Sequence, residues 1–156
     1  MAQVLLDLHN YVKDSAGVTN ANVSVGVATV NGATIDKQGY EALEFFVAVG
    51  AAGDTHCATI NHKIYLEHST DGATWSVVTN AYDVLGTFET IGSGLFKTID
   101  ADGECGVTYS FGYSGNYSGP TYRYVRIKIV GSAGNTTGTY FGVVAAQAGA
   151  RTLPVA

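Results

Sequence analysis

Apolar positions along this chain recur with a period of two, interrupted at short intervals by glycine, asparagine, aspartate and serine, the pattern of many short antiparallel strands. From Leu43 to Gly50 the alternation puts Phe45, Val47 and Val49 on one face and Phe46 on the other, which predicts a strand covered on both sides. Lys63 to His68 alternates more cleanly, with Ile64 and Leu66 facing one way and Lys63, Tyr65 and Glu67 the other, so a half-buried strand is expected. The run Ser69 to Thr74 contains Asp71-Gly72, a pair that tolerates the positive backbone angles of a tight reversal. The chain should turn there and return through Trp75 to Val78, with the indole packed back across the turn.

Further strands are predicted at Asn22 to Val30, Tyr82 to Leu85, Leu95 to Ile99, Val107 to Phe111, Tyr122 to Val130 and Thr139 to Ala146. That makes about eight or nine, the spacing of a sandwich or barrel. In Tyr122 to Val130, Val125, Ile127 and Ile129 face inward and Tyr124, Arg126 and Lys128 outward. Its expected partner is Thr139 to Ala146, joined through a flexible hairpin loop from Gly131 to Gly138.

Three segments lack a core pattern. Residues 1–17 carry Val4, Leu5, Leu6, Leu8, Tyr11 and Val12 ahead of the polar Asp14-Ser15-Ala16-Gly17 and suit an N-terminal arm. Gly112 to Gly119 is a glycine- and tyrosine-rich loop, and residues 147–156, ending in Arg151-Thr152-Leu153-Pro154, suit a C-terminal arm. Apolar arms at both ends make sense where a neighbour covers them.

Composition narrows the function classes. The 156 residues fall within the range of one domain, 1–156, large enough for a core without staples. Charged residues make up 13%, and a formal charge of −5 repels a phosphate backbone, so nucleic acid is not an expected partner. Apolar runs such as Phe45 to Gly53 fall far short of a membrane span, which excludes a helical crossing as an expectation. Met1-Ala2-Gln3-Val4 shows no basic region followed by an apolar core, so synthesis in the cytoplasm is expected. In that compartment Cys57 and Cys105 are expected as free thiols.

No reaction centre emerges from the spacing. His62 and His68 share a strand face but lie about 20 Å apart at roughly 3.3 Å per residue, while neighbours His56 and Cys57 face opposite ways. With His9 apart from these, a metal site is not expected. Gly92-Ser93-Gly94 lacks the flanking glycines of a nucleophile elbow and reads as a turn before Leu95. Asp100, Asp102 and Glu104 read as a solvated acidic turn, since the other ligands of a calcium loop are missing. Ser69 to Trp75 resembles an Asp-box hairpin of propellers, but it is one residue short and occurs once. No cofactor is expected, and the protein is read as a non-enzyme. Ten tyrosines, with Tyr109, Tyr113, Tyr117 and Tyr122 around the glycine-rich loop, suit protein interfaces first and a sugar-stacking platform second.

The run Ile35-Asp36-Lys37-Gln38-Gly39-Tyr40-Glu41-Ala42-Leu43-Glu44-Phe45, then Val47-Ala48-Val49-Gly50 and Tyr65-Leu66-Glu67-His68-Ser69-Thr70-Asp71-Gly72, resembles the capsid decoration, or cement, proteins of tailed bacteriophages. Tyr122-Arg123-Tyr124-Val125-Arg126 and Ala150-Arg151-Thr152-Leu153-Pro154 fit the same pattern, so the likeness covers roughly residues 33 to 154. It implies a jelly-roll-like antiparallel β-sandwich on the exterior of the virion, bridging major capsid protein subunits, with a dimer or trimer expected. Leu5, Leu6, Leu8, Tyr11, Tyr113, Tyr117, Tyr124, Arg126, Arg151 and Leu153 are the expected protein-contact residues. The alternative is a carbohydrate- or receptor-binding module of a tail fibre.

Overall fold

The computed structural model describes residues 12–24, 28–115 and 122–149. Their backbone forms strands β1 (Lys13–Val23), β2 (Thr29–Asn31), β3 (Ile35–Asp36), β4 (Ala42–Val49), β5 (His62–Ser69), β6 (Ser76–Val77), β7 (Val84–Leu85), β8 (Leu95–Ile99), β9 (Thr108–Tyr113), β10 (Tyr124–Gly131) and β11 (Thr139–Ala148). The only helical pieces among the described residues are single turns at Ala81–Asp83, Ile91–Ser93 and Asp102–Glu104. Glycine-punctuated runs shorter than a stable helix leave the period-two segments to pair with one another.

All pairings are antiparallel and fall into two sheets. Sheet A has the order β1-β11-β4-β9-β7. Sheet B has β2-β10-β5-β6, with β3 also on β10 and β8 also on β5. Strands β2 and β3 line the same edge of β10 and act as one broken strand, and β6 and β8 do the same along β5. Counted that way, the sheets read first-eighth-third-sixth and second-seventh-fourth-fifth, with β7 an addition at one edge. That is the winding of a jelly roll. Sequence pattern and structure agree on the class: an all-β antiparallel sandwich.

Apolar side chains from both sheets fill the space between them. Leu43, Phe45, Val47 and Val49 of β4 and Phe141, Val143 and Ala145 of β11 face Ile64 and Leu66 of β5 and Val125, Ile127 and Ile129 of β10, all buried. Phe111 on β9 stacks on Phe45 at 5.6 Å and on Phe96 of β8 at 3.8 Å between ring centroids, tying the sheets together at one edge.

The structure departs from the sequence expectations in several places. β10 and β11 are not a hairpin: β10 pairs with β2, β3 and β5, and β11 with β1 and β4, so residues 131–138 cross from one sheet to the other. Both strands are alternating and central, and alternation alone does not say which sheet a strand joins. The crossing loop is also anchored. Asp54 accepts from the N–H groups of Thr136, Thr137 and Gly138 and from the Thr136 hydroxyl at 2.6 Å, and Asn135 Nδ2 donates to Asn61 O at 2.8 Å. These bonds hold the Asp54 carboxyl well below its ordinary range. The loops touch so closely that a Cβ on Gly53 would lie 1.9 Å from Gly138 O.

The strand expected over Asn22 to Val30 is instead the end of β1 and the start of β2. Residues 13–17, expected in an arm, open β1 in register with β11 from Gln147 back to Val144. Gln147 and Ala148 likewise belong to β11, where buried Gln147 donates to Asp36 O at 2.7 Å. Gly112 and Tyr113 finish β9 rather than opening a loop. Of the tract Tyr82 to Leu85, only Val84–Leu85 is a strand.

Strand β1 lies at the edge of sheet A, and its pairing slips twice, between Ala16 and Val18 and between Val18 and Ala21, where Asn20 has φ +40°. At the first irregularity Gly17 O accepts from Ala33 N at 2.6 Å, so a neighbouring loop occupies part of that edge.

Candidate functional site

Outward positions of sheet A form a nearly uncharged face. Because side chains alternate, burying Leu43, Phe45, Val47 and Val49 turns Glu44, Phe46 and Ala48 out, and burying Phe141, Val143 and Ala145 turns out Tyr140, Gly142, Val144 and Ala146. Register places Val144 directly beside Phe46, with Ala16 and Ser110 completing that row. Phe46, Val144, Tyr140 and Leu85 are 44%, 48%, 51% and 48% exposed, too much apolar surface to leave to chance on one face. Among the described residues this sandwich has two layers and no third covers the Phe46 side, so the expectation that both sides of β4 are covered is not met there. A Cβ on Gly142 would meet nothing within 4 Å, so the face is low between Tyr140 and Val144.

Among the described residues the charges on this face are Asp14 and Glu44, which share the row Asp14, Ala146, Glu44, Gly112. Burial raises the Glu44 carboxyl above its usual range, and a hydrogen bond from Ser110 partly offsets that. Lys13 is in register with inward-facing Gln147, and its charge acts on Asp36 of the other sheet.

The outer face of sheet B is its opposite in character. Arg126 stacks on Trp75 at 4.2 Å and its Nε donates to Glu67 at 2.7 Å, while Lys128 reaches the same carboxylate at 3.3 Å. Arg123 bonds Asp36 through Nε at 2.8 Å and packs over Tyr124 at 5.0 Å. Lys97, at the β8 edge, joins Glu89 at 3.1 Å and Glu104. The positive charge of this side is thus largely neutralised within the molecule, with Lys63 exposed beside it.

Two polar clusters lie inside the sandwich. A narrow turn pairing Cys57 with Ile60 folds His56 back against His62, so His56 Nε2 stands 3.2 Å from His62 Nδ1 and 3.3 Å from Thr139 Oγ1. His62 Nε2 is 2.9 Å from Val23 O, which only accepts, so that nitrogen carries the proton of the neutral ring and Nδ1 accepts a hydrogen bond from His56 Nε2. On the other side of His56, Nδ1 meets Asp102 at 3.2 Å and Cys105 Sγ at 3.8 Å. The second cluster joins His68 Nδ1 to the Tyr113 hydroxyl at 3.1 Å, with Tyr122 stacked on the imidazole at 3.6 Å.

Strand spacing missed the first cluster because it is built by a turn. The one available signal was the chain reversal between two histidines six residues apart. Among the described residues no group of three or more His, Cys, Asp or Glu is arranged to hold a metal ion. Two carboxylates of the acidic turn accept from backbone N–H groups: Glu104 from Asp100 N at 2.9 Å, and Asp102 from His56 N at 2.7 Å. Cys57 and Cys105 are free thiols.

Of the expected contact residues, Tyr124 and Arg126 are partly exposed on sheet B, where Arg126 is committed to Glu67 and Trp75. Tyr113 is fully buried, so it offers neither a partner nor a sugar a ring face; it points inward because β9 extends two residues further than the pattern suggested. Leu5, Leu6, Leu8, Tyr11, Tyr117, Arg151 and Leu153 lie outside the described residues. The sequence reading did not single out Phe46 or Val144 as contacts, although the alternation that buries Phe45 already placed Phe46 on the far side.

No known protein family matches the chain, and no curated protein matches it. Among solved structures it is similar to PBSX exported protein XepA, with a TM-score of 0.51 at 14% identity over 99% of this chain and 42% of that one. The chain therefore spans less than half of that protein's length, and the likeness is one of fold. SPBc2 prophage-derived protein YomS aligns with a TM-score of 0.45 at 10% identity, over 87% of this chain and 91% of that one. The VP2 subviral particle of infectious bursal disease virus aligns at 0.26 with 12% identity, over 87% and 40% of the two chains.

Proposed function

We propose that this chain is a non-catalytic structural protein of a tailed-phage virion, which binds the outside of the capsid and stabilises it by bridging major capsid protein subunits. The observation that carries this reading is the contrast between the two faces. One outer face is charged, ion-paired and suited to water. The other exposes Phe46, Val144, Tyr140 and Leu85 around small residues and is suited to burial against protein. The jelly-roll winding and the sequence resemblance to decoration proteins point the same way.

Mechanistically, a rigid sandwich laid over a capsomer boundary adds contacts on both sides of it. Repetition over a lattice turns modest single-site affinity into strong retention. The experiment is co-sedimentation of the purified chain with undecorated heads, followed by heating or dilute denaturant. The expected result is saturable binding and heads that open at higher temperature when the chain is bound. Failure of the chain to sediment with heads overturns the reading.

A further inference from the structure

We infer that the outer face of sheet A docks on a protein other than a second copy of this chain, one whose contact surface has an apolar centre flanked by a lysine or arginine that meets Glu44 and Asp14. The inference rests on the capsid-binding reading and adds the orientation of the chain and the chemistry of its partner.

Charge carries the argument. Phe46, Val144, Ala16 and Ala48 make the centre of the face apolar, and the outward positions assigned by register include two carboxylates and no cation. Two such faces laid together bring four carboxylates to the rim of one contact and supply nothing to neutralise them. Of the cations that a second copy might offer from its opposite side, Arg123, Arg126, Lys97 and Lys128 are already paired with Asp36, Glu67, Glu89 and Glu104, which leaves exposed Lys63 to face two carboxylates. A stack of sheet A on sheet B would have to balance Glu44 and Asp14 with Lys63 alone or break those pairs, and the Lys63→Glu variant separates that case. Glu44 is already partly stripped of water, and its carboxyl is raised by that burial, so further covering without a counter-charge is unfavourable while a cation opposite restores the balance. The occupant that fits both the apolar centre and the acidic row is a foreign surface with a basic flank.

The test uses the full chain and four variants at exposed or half-exposed positions: Phe46→Asp, Asp14→Lys, Glu44→Gln and, on the opposite face, Lys63→Glu. Circular dichroism and melting establish that each folds. Head binding is measured by co-sedimentation at low and high salt, and self-association by sedimentation velocity. The inference expects a loss of at least about tenfold in head affinity for Phe46→Asp. It also expects weaker binding with a flatter salt dependence for Asp14→Lys and Glu44→Gln, wild-type binding for Lys63→Glu, and an unchanged sedimentation coefficient for Phe46→Asp.

Wild-type sedimentation with heads that Phe46→Asp leaves intact overturns the inference alone. A wild-type oligomer that Phe46→Asp dissociates shows a second copy to be the occupant. Unaltered or tighter binding by Asp14→Lys and Glu44→Gln overturns the basic flank. Absence of wild-type binding overturns the capsid reading, and this inference falls with it.

Discussion

At the scale of single residues, the buried histidines make this protein sensitive to acid. Burial pushes His62 and His68 below their ordinary value of 6.5. The unfolded chain therefore takes up protons at a pH where the fold still refuses them. The linkage has a definite sign: the contribution of both rings is fully present above about pH 6.5 and is lost as pH falls below it toward the folded values. Denaturation midpoints in urea at pH 8, 6.5 and 5 should fall in that order, and His62→Asn and His68→Asn together should flatten the trend above pH 5. Little of this was legible beforehand. The spacing of His62 and His68 gave their shared face correctly, but His56 came to His62 through a turn, and the distance between their rings is a property of that turn.

At the scale of elements, β4 is where sequence and structure agree most and also part most clearly. Its alternation fixed which residues are inside, because a one-residue slip would expose all of them at once. The same alternation says nothing about whether a further layer covers the other face, so Phe46 was put on the correct side while its exposure was not foreseen. Adjacent phenylalanines should consequently behave in opposite ways. Phe45→Ala should cost about 3–5 kcal/mol of unfolding free energy, the usual penalty for deleting a buried ring, whereas Phe46→Ser should stay within about 0.5 kcal/mol. Chemical denaturation of the two variants checks both. Strands β10 and β11 teach a related lesson: the inward and outward faces of β10 were read residue by residue, while the placing of the two strands in different sheets goes with a loop that Asp54 and Asn135 anchor between them.

At the scale of the whole molecule, first pairs with eighth and second with seventh, so few contacts of the sandwich are local in sequence. Chains wound this way must close long loops before burial rewards them. Refolding from urea should accordingly take on the order of milliseconds to seconds rather than microseconds, and stopped-flow tryptophan fluorescence from Trp75 provides the measurement.

The two slips in β1 bear on how copies of this chain can add to one another. A smooth, open edge would let one sandwich add its sheet to the next, and such chains lengthen for as long as free protein remains. Here Asn20 and the loop bond to Gly17 O interrupt that edge, which hinders a second copy from adding its own sheet along β1. On the proposed capsid reading, coverage should level off once the seats on the shell are filled, and these few misaligned residues work in that direction at one border of one sheet.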